Sequence, residues 1–444
     1  MSEKGGIGGL AAEQDDLVEQ ALDLHAPLEQ DTSLLDGRDV FYNSVTSVTN
    51  TGPIEFIVPR DQECSFILDQ TRLIGHFVVK TDDDKDVEAT DKVFLVNNFA
   101  HNLFSQVEIY VNGTQVCDLS TANSYPFKNF IQTELSYDQE VKECQLRAEG
   151  YFVEEAGDIA KYDPSGSQRL KKRRSLMKDG KKVFFSSRLG ADIMYTDKYL
   201  PPNVDLKFKL VRNNPKFGLL HSEESKSFKI ILKDLKLKMR KVLPTEQHRK
   251  DFQLKLSQEP CYIPYKATQL KQFIIPPGVT SYTVTNVASG LLPKQVIFVM
   301  LHHEAVTHSS SKNPFNFQHF GLNRFNVIKN GQCVFPKPFQ PDFDEDNFVD
   351  LFRHMYDSTG FGISNHTCSI TKEAFKAGRC FLTADLTPDR CNGYHIHPDE
   401  SGKLDAEFGF KTANDHPIYL MSYTIFNSGI KIEETGQVIR TDES

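Results

Sequence analysis

NNFAHNLFSQVEIYVNGTQV, residues 97–116, and NPFNFQHFGLNRFNVIKNGQ, residues 313–332, are written to one plan. In the first, Asn98-Phe99-Ala100-His101 precedes an alternating run that closes on Asn112-Gly113. In the second, Asn316-Phe317-Gln318-His319 precedes a run that closes on Asn330-Gly331, and both motifs repeat at a shift of 218 residues. Asn-Gly at the end of an alternating strand is a strong hairpin signal, because both central positions of a tight hairpin turn need positive φ.

Outward from this pair, Tyr137-Asp138 recurs as Tyr356-Asp357 at a shift of 219, and Phe56-Ile57-Val58-Pro59 matches Phe273-Ile274-Ile275-Pro276 at a shift of 217. Matches in one order at a nearly constant offset divide the chain into two halves of one architecture. In the first half, Ile54, Phe56 and Val58 alternate with polar neighbours, as do Leu73, Gly75, Phe77 and Val79, and then Val107, Ile109 and Val111. Ser124-Tyr125-Pro126 opens a helix with Phe127, Phe130, Ile131 and Leu135 on one face. Strands resume at 183–185 and 204–210, and 228–240 reads as a strand with one wet face, since Leu235, Leu237 and Met239 alternate with Lys236, Lys238 and Arg240. The second half repeats this with strands at 273–275, 282–287, 296–301, 325–327, 380–386, 404–410 and 418–426, and a helix through Phe348, Leu351, Phe352 and Met355. About eight short strands per half, long connections and one helix fit a jelly roll better than an immunoglobulin-type sandwich. The expected class is all-β: two tandem eight-stranded jelly rolls, a double jelly roll, with short helices in loops. The expected divisions are an acidic arm at 1–37, a first jelly roll at 38–245, and a second at 246–444 with a C-terminal tail.

Composition agrees. The 444 residues include 33 Phe and 15 Tyr but no Trp, and Phe and Tyr suit half-buried strands. Eight cysteines without a CxxC pair signal neither a zinc site nor a disulfide framework. No apolar run is long enough to span a membrane, and the first residues lack the layout of a signal peptide, so a soluble intracellular protein is expected. On that expectation the sequons at Asn112 and Asn365 go unused.

Charge is unevenly spread. Residues 1–37 hold nine acids against Lys4, so nearly all of the net charge of −9 lies there. Leu17, Val18, Ala21 and Leu22 fall at helical spacing in this arm, which reads either as a solubilising tail or as a docking arm that orders on a partner. Residues 169–182, RLKKRRSLMKDGKK, carry eight bases (Arg169, Lys171, Lys172, Arg173, Arg174, Lys178, Lys181 and Lys182) and one acid, within a stretch that reads as a long exposed loop. These bases are candidate contacts for nucleic-acid phosphates or for nuclear import, against the plain alternative of a solvated loop.

Other candidates are weaker. His395 and His397 share a strand face, and His302, His303 and His308 cluster, but spacing supplies no third metal ligand for the pair. Asp342, Asp344, Glu345 and Asp346 lack the central Gly and distal Glu of an EF-hand, and read as a solvated acidic loop. No nucleophile elbow, P-loop or zinc-protease motif occurs, so no catalytic residue, cofactor or metal is expected.

The segments 97–116, 123–138 (NSYPFKNFIQTELSYD) and 184–213 (FFSSRLGADIMYTDKYLPPNVDLKFKLVRN), with 313–332 and 417–432 (PIYLMSYTIFNSGIKI), resemble the double jelly-roll major capsid proteins of Polinton (Maverick) elements and adintoviruses. More distantly they resemble those of virophages and other large DNA viruses. The resemblance covers about residues 38–440 and is strongest in the first half. It implies a structural protein, not an enzyme: a homotrimer with a pseudo-hexagonal outline, tiling an icosahedral shell around double-stranded DNA. A minor or penton capsid protein is the implied partner. The implied location is the virion capsid, after synthesis in the host cytoplasm and assembly there or in the nucleus. The acidic arm and the basic cluster lie outside the resemblance. Two alternatives stand beside it: a host-domesticated, transposon-derived protein of other role, and a glycan-active jelly-roll protein, which lacks Trp and a persuasive acid pair.

Overall fold

The computed structural model describes residues 31–48, 52–88, 90–117, 124–160, 168–221, 226–307, 311–362, 364, 366–390 and 397–441. The first 30 residues of the acidic arm, His308, Asn365, Cys391 and His395 lie outside the described residues. The first half holds strands β1 Leu34–Asn43, β2 Ile54–Val58, β3 Ser65–Thr81, β4 Val93–Leu95, β5 Phe104–Val111, β6 Thr114–Gln115, β7 Val183–Ser187, β8 Leu206–Arg212, β9 Leu219–His221 and β10 Phe228–Pro244. The second holds β11 Cys261–Ile275, β12 Ser281–Leu291, β13 Gln295–His302, β14 Leu322–Lys329, β15 Gln332–Cys333, β16 Leu382–Asp385, β17 Ser401–Phe410, β18 Ile418–Ile432 and β19 Val438–Arg440. Helices are α1 Phe99–Asn102, α2 Ser124–Ser136, α3 Gln139–Glu143, α4 Ala156–Ala160, α5 Gln168–Ser175, α6 Glu246–Leu256, α7 His303–Val306, α8 Val349–Ser358 and α9 Lys372–Gly378.

Pairing is antiparallel in every named sheet. The first half forms sheets ordered β1-β10-β3-β7 and β2-β8-β5-β6, with a small β4-β9 pair. The second forms β11-β18-β13-β16, extended by β19, and β12-β17-β14-β15. These orders correspond strand for strand, so each half is an eight-stranded jelly roll. Alternation explains the faces: Leu73 and Phe77 of β3, Leu235 and Leu237 of β10, Phe56 of β2, Phe208 of β8 and Ile109 of β5 all enter one buried cluster. Each such side chain stabilises the sandwich by about 1.5–3 kcal/mol on burial.

The repeated turns are as the sequence requires. Asn112 and Gly113 have φ of 47° and 82°, and Asn330 and Gly331 have 53° and 78°. They close the β5–β6 and β14–β15 hairpins. The Tyr-Asp pair marks the end of α2 in one half and of α8 in the other. One match in the repeat is a coincidence of sequence. Phe56–Val58 lies in β2, whose counterpart by sheet position is β12, whereas Phe273–Ile275 ends β11, the counterpart of β1. Both are alternating apolar strand ends before proline, and composition alone made them alike.

Two further expectations are corrected. Residues 34–37, counted with the acidic arm, are the start of β1 and pair with Val242–Pro244. The basic segment is not an open loop. Residues 168–175 form α5, a 3-10 turn follows at Lys178–Gly180, and Leu170, Arg173 and Met177 are buried. These three fall at i, i+3 and i+7, a helical face whose middle member is charged, which hid the periodicity.

Candidate functional site: the seam between the two sandwiches

The two cores exchange residues. Phe127, Phe130, Ile131 and Leu135 of α2 belong to the buried cluster of the second half, while Ile263, Tyr265, Phe426, Ile430 and Val438 of the second half enter that of the first. Phe130 stacks on Phe315 with ring centroids 4.1 Å apart and planes 2° from parallel. Aromatic pairs of this kind contribute about 0.5–1.5 kcal/mol beyond their burial. Thus α2, read in sequence as a helix with one apolar face, is covered on both sides: one side closes its own sandwich and the other seats on the next.

A buried charge network crosses the same seam. Arg379, at the end of α9, donates from Nε to Glu134 Oε1 at 3.0 Å and from Nη2 to Glu154 Oε2 at 2.7 Å; its Nη1 donates to Phe315 O at 2.7 Å. Glu154 also accepts from Arg173 Nη2 at 2.7 Å. On α2, Glu134 accepts from Tyr151 Oη at 2.9 Å, and the Lys142 ammonium lies 3.4 Å from its Oε2 while donating to Cys368 O at 2.7 Å. Burial alone would raise the Glu134 carboxyl, but Arg379 and Lys142 outweigh it and hold that group below the usual carboxylate range. Burial likewise disfavours the charged Arg379, and Glu134 with Glu154 more than restores it. The guanidinium also lies over the Phe130 ring at 4.9 Å.

Two smaller contacts flank the network. Asp192 pairs with Lys128 at 2.8 Å and accepts from both Thr268 N and Thr268 Oγ1 at 2.8 Å, tying the segment after β7 to β11. At the β5–β6 turn, Asn112 Nδ2 donates to Gly436 O at 2.8 Å and Thr114 Oγ1 to Val438 O at 3.4 Å. Between α2 and the outer face of the β11-β18-β13-β16 sheet remains a cleft of about 840 Å3, lined among others by Tyr137, Tyr195, Tyr262 and Tyr423.

The residues proposed from sequence are distributed differently. Arg173 is fully buried on Glu154 and faces no solvent; Arg169 donates to Val153 O at 2.7 Å and pairs with Glu155 at 3.3 Å. Lys171, Lys172, Lys181 and Lys182 are exposed, and Arg174 and Lys178 are half-buried. His302 stacks on His303 at the end of β13 and His416 lies tilted beside them, with the His302 ring 5.0 Å from each of the others. Among the described residues no three His, Cys, Asp or Glu side chains are arranged to hold a metal ion. Asp342 and Asp344 pair with Lys411, and Asp346 with Lys372 and Lys376. His397 pairs with Asp389 at 2.8 Å. Glu134, Glu154 and Arg379 were not foreseen; the available signal was a lone Arg between Gly378 and the apolar Cys380-Phe381-Leu382.

No protein-family model matches the chain. An uncharacterized protein of Caenorhabditis elegans, F54H12.2, is 20% identical over 347 residues, covering 76% of this chain and 80% of that protein. Among solved structures, a chain of the Sputnik virophage superposes with a TM-score of 0.60 at 12% identity, over 99% of this chain and 94% of that one. The Faustovirus major capsid protein gives 0.59 at 8% identity, over 91% and 92%, and the mavirus major capsid protein 0.50 at 11%, over 99% and 96%. At such identities the likeness is one of fold, and this chain has the double jelly-roll architecture found in those viral major capsid proteins.

Proposed function

We propose that this chain is a major capsid protein of the Polinton (Maverick) and adintovirus type. It assembles as homotrimers of pseudo-hexagonal outline into an icosahedral shell around double-stranded DNA. The observation that carries this reading is the interlocked seam, at which two corresponding sandwiches share buried residues; three such chains would give a trimer six similar sides. The neighbours of like fold supply the analogy. The working units are two sandwiches, one from the start of β1 at Leu34 to residue 245 and one from 246 to 444, behind the arm. A minor capsid protein meets the lattice, and the exposed bases Lys171, Lys172, Lys181 and Lys182, with Arg169, Arg174 and Lys178 beside them, meet nucleic acid or import machinery. A second reading, a host-resident descendant of a transposon capsid gene with another role, draws on the match to the nematode protein. Both readings need this fold, and particle formation separates them. Electron microscopy of the purified chain, on varying salt and pH, is expected to show closed shells or hexagonal arrays. Dispersed particles under every condition would contradict the capsid reading and favour the second.

A further inference from the structure

The cleft on the seam is a recess whose lining is left incomplete. On the second sandwich Phe298 points inward onto Phe325 and Phe408, so its neighbour Ile297, and Tyr423 across the sheet, face outward. The same side of the sheet continues through Ile425 and Asn427 of β18, which stand opposite Thr268 and Lys266 of β11, and this is the floor of the cleft. Its wall is the end of α2 through Ile131, Leu135 and Tyr137. At about 840 Å3 it falls within the roughly 300–1,000 Å3 of pockets that bury a small ligand, so it takes a few side chains and not a folded domain. Tyr137, Tyr195, Tyr262, Phe361 and Ile425 line it, and none of them is fully covered. Two other lining residues, Gln132 and Ser428, hold a buried polar atom, Oε1 and Oγ, with no hydrogen-bond partner among the described residues. Buried polar groups are paired in the great majority of cases, and the main chain of an occupant supplies both donors and acceptors.

The rim is basic once its internal pairs are set aside. Of the three acids in the lining, Asp192 is held by Lys128 and Thr268, and Asp399 by Lys294, which leaves Asp197. Against it stand Lys266, Lys198 beside Asp197, and Lys431, the cross-strand partner of Tyr262. All three lysines are exposed and make no ion pair among the described residues.

One segment of the chain fits this recess in composition, charge and reach. In residues 13–23, outside the described residues, Leu17, Val18, Ala21 and Leu22 stand among Glu13, Asp15, Asp16, Glu19 and Asp23. Downstream of that segment Ser33 O accepts from Thr245 N, which places the root of the arm at the start of α6. The 11 residues of α6 rise about 16 Å. With the extended residues on to Tyr262 at the cleft, the path from Thr245 is at most about 40 Å. Leu22 and Leu17 precede Asp31 by nine and fourteen residues, a reach of about 30–50 Å. Residues 442–444, which follow Thr441 at the edge of the cleft, are Asp-Glu-Ser and bring no apolar side chain.

We propose that residues 13–23 of the acidic arm dock in the seam cleft of their own chain. Leu17, Val18 and Leu22 complete the tyrosine-lined recess, and the acids around them meet Lys198, Lys266 and Lys431. Tethering by a short linker gives an effective concentration on the order of millimolar, so weak contacts suffice. The arm is then a strap laid across both sandwiches. This goes beyond the capsid reading and does not rest on it, since segment and cleft belong to one chain.

The test uses the full chain. It contains no Trp, so Leu22→Trp places a single fluorescent reporter in the arm. At low salt its emission should be that of a shielded indole. Adding Lys266→Glu and Lys431→Glu, which reverse two exposed charges and leave the fold intact, should move the emission to that of indole in water. A photoreactive leucine analogue at position 22 gives the address: cross-linked peptides should fall in 131–137, 262–268 or 425–428, and the product should run at the mass of one chain. Water-like emission in the parent, or emission that the charge reversals do not move, would overturn the proposal. So would cross-links placed elsewhere, or products at the mass of two chains, which assign the arm to a neighbouring copy. Particle mass is read separately by light scattering, so a failure here and a failure of self-assembly are distinguishable.

Discussion

Replacing Arg379 by Met probes the seam most sharply. The substitution keeps much of the side-chain volume but leaves the Glu134 and Glu154 carboxylates in a site closed to water, with Lys142 and Arg173 as their remaining cations. Breaking a buried ion pair by removing one partner costs about 3–5 kcal/mol, because the remaining charge stays desolvated. At about 2.1 cal/mol/K per residue, a chain of 444 residues unfolds with an entropy of about 0.9 kcal/mol/K, so Tm should fall by roughly 3–5 °C if the chain melts as one unit. The sign of the pH dependence follows from the carboxyl. In the wild type Glu134 is held below its ordinary range, so its contribution is present above the unfolded value of about 4.3 and is lost as pH falls through the lower folded value. In Arg379→Met the Glu134 carboxyl loses its largest opposing charge and burial raises it, so the penalty is full at neutral pH and lifts as that group protonates. Urea titrations at pH 7 and pH 5 should therefore show the gap between wild type and variant narrowing at the lower pH. Adding Glu134→Gln to Arg379→Met should restore part of the loss. A gap of under 1 kcal/mol at pH 7, or one that does not change with pH, would refute the claim that this network fastens the halves.

Phe130→Ala should cost about 3–5 kcal/mol and lower a single calorimetric transition; two separated transitions would show that the halves fold independently of the stack on Phe315. Gly113→Ala and Gly331→Ala should each cost about 1–2 kcal/mol from backbone strain alone, since both residues have positive φ and a Cβ there meets nothing within 4 Å; unchanged urea midpoints would contradict the turn assignment. His319 stacks on Phe343, and burial, helped by Lys376, lowers its pKa to about 4. The unfolded chain binds that proton first, so stability should rise with pH between about 4 and 6.5. His319→Phe should flatten that part of the profile, and an unchanged slope would assign it to other groups.

Much of this architecture was legible because it is periodic or needs special backbone. Asn112-Gly113 and Asn330-Gly331 announced their hairpins through positive φ, and the alternation of Leu235, Leu237 and Met239 with lysines gave both faces of β10. Periodicity is a one-dimensional signal, and it failed where a residue serves two neighbours. The apolar face of α2 through Phe127, Phe130 and Ile131 also carries Glu134, which reads as surface until Arg379, 245 residues away in sequence, is brought beside it. Arg173 misled in the same way, as a base counted with its exposed neighbours while Glu154 held it inside. The Phe56 and Phe273 segments show the opposite error, in which like composition stood for like position although the strands sit in different sheets.

Self-assembly is the central claim, and the mass of the wild-type particle in solution tests it most directly. Light scattering on the purified chain at micromolar concentration should give three times the 50.4 kDa monomer, with a hexagonal outline in negative stain. A stable monomer that forms no higher species on changing salt or pH would contradict it.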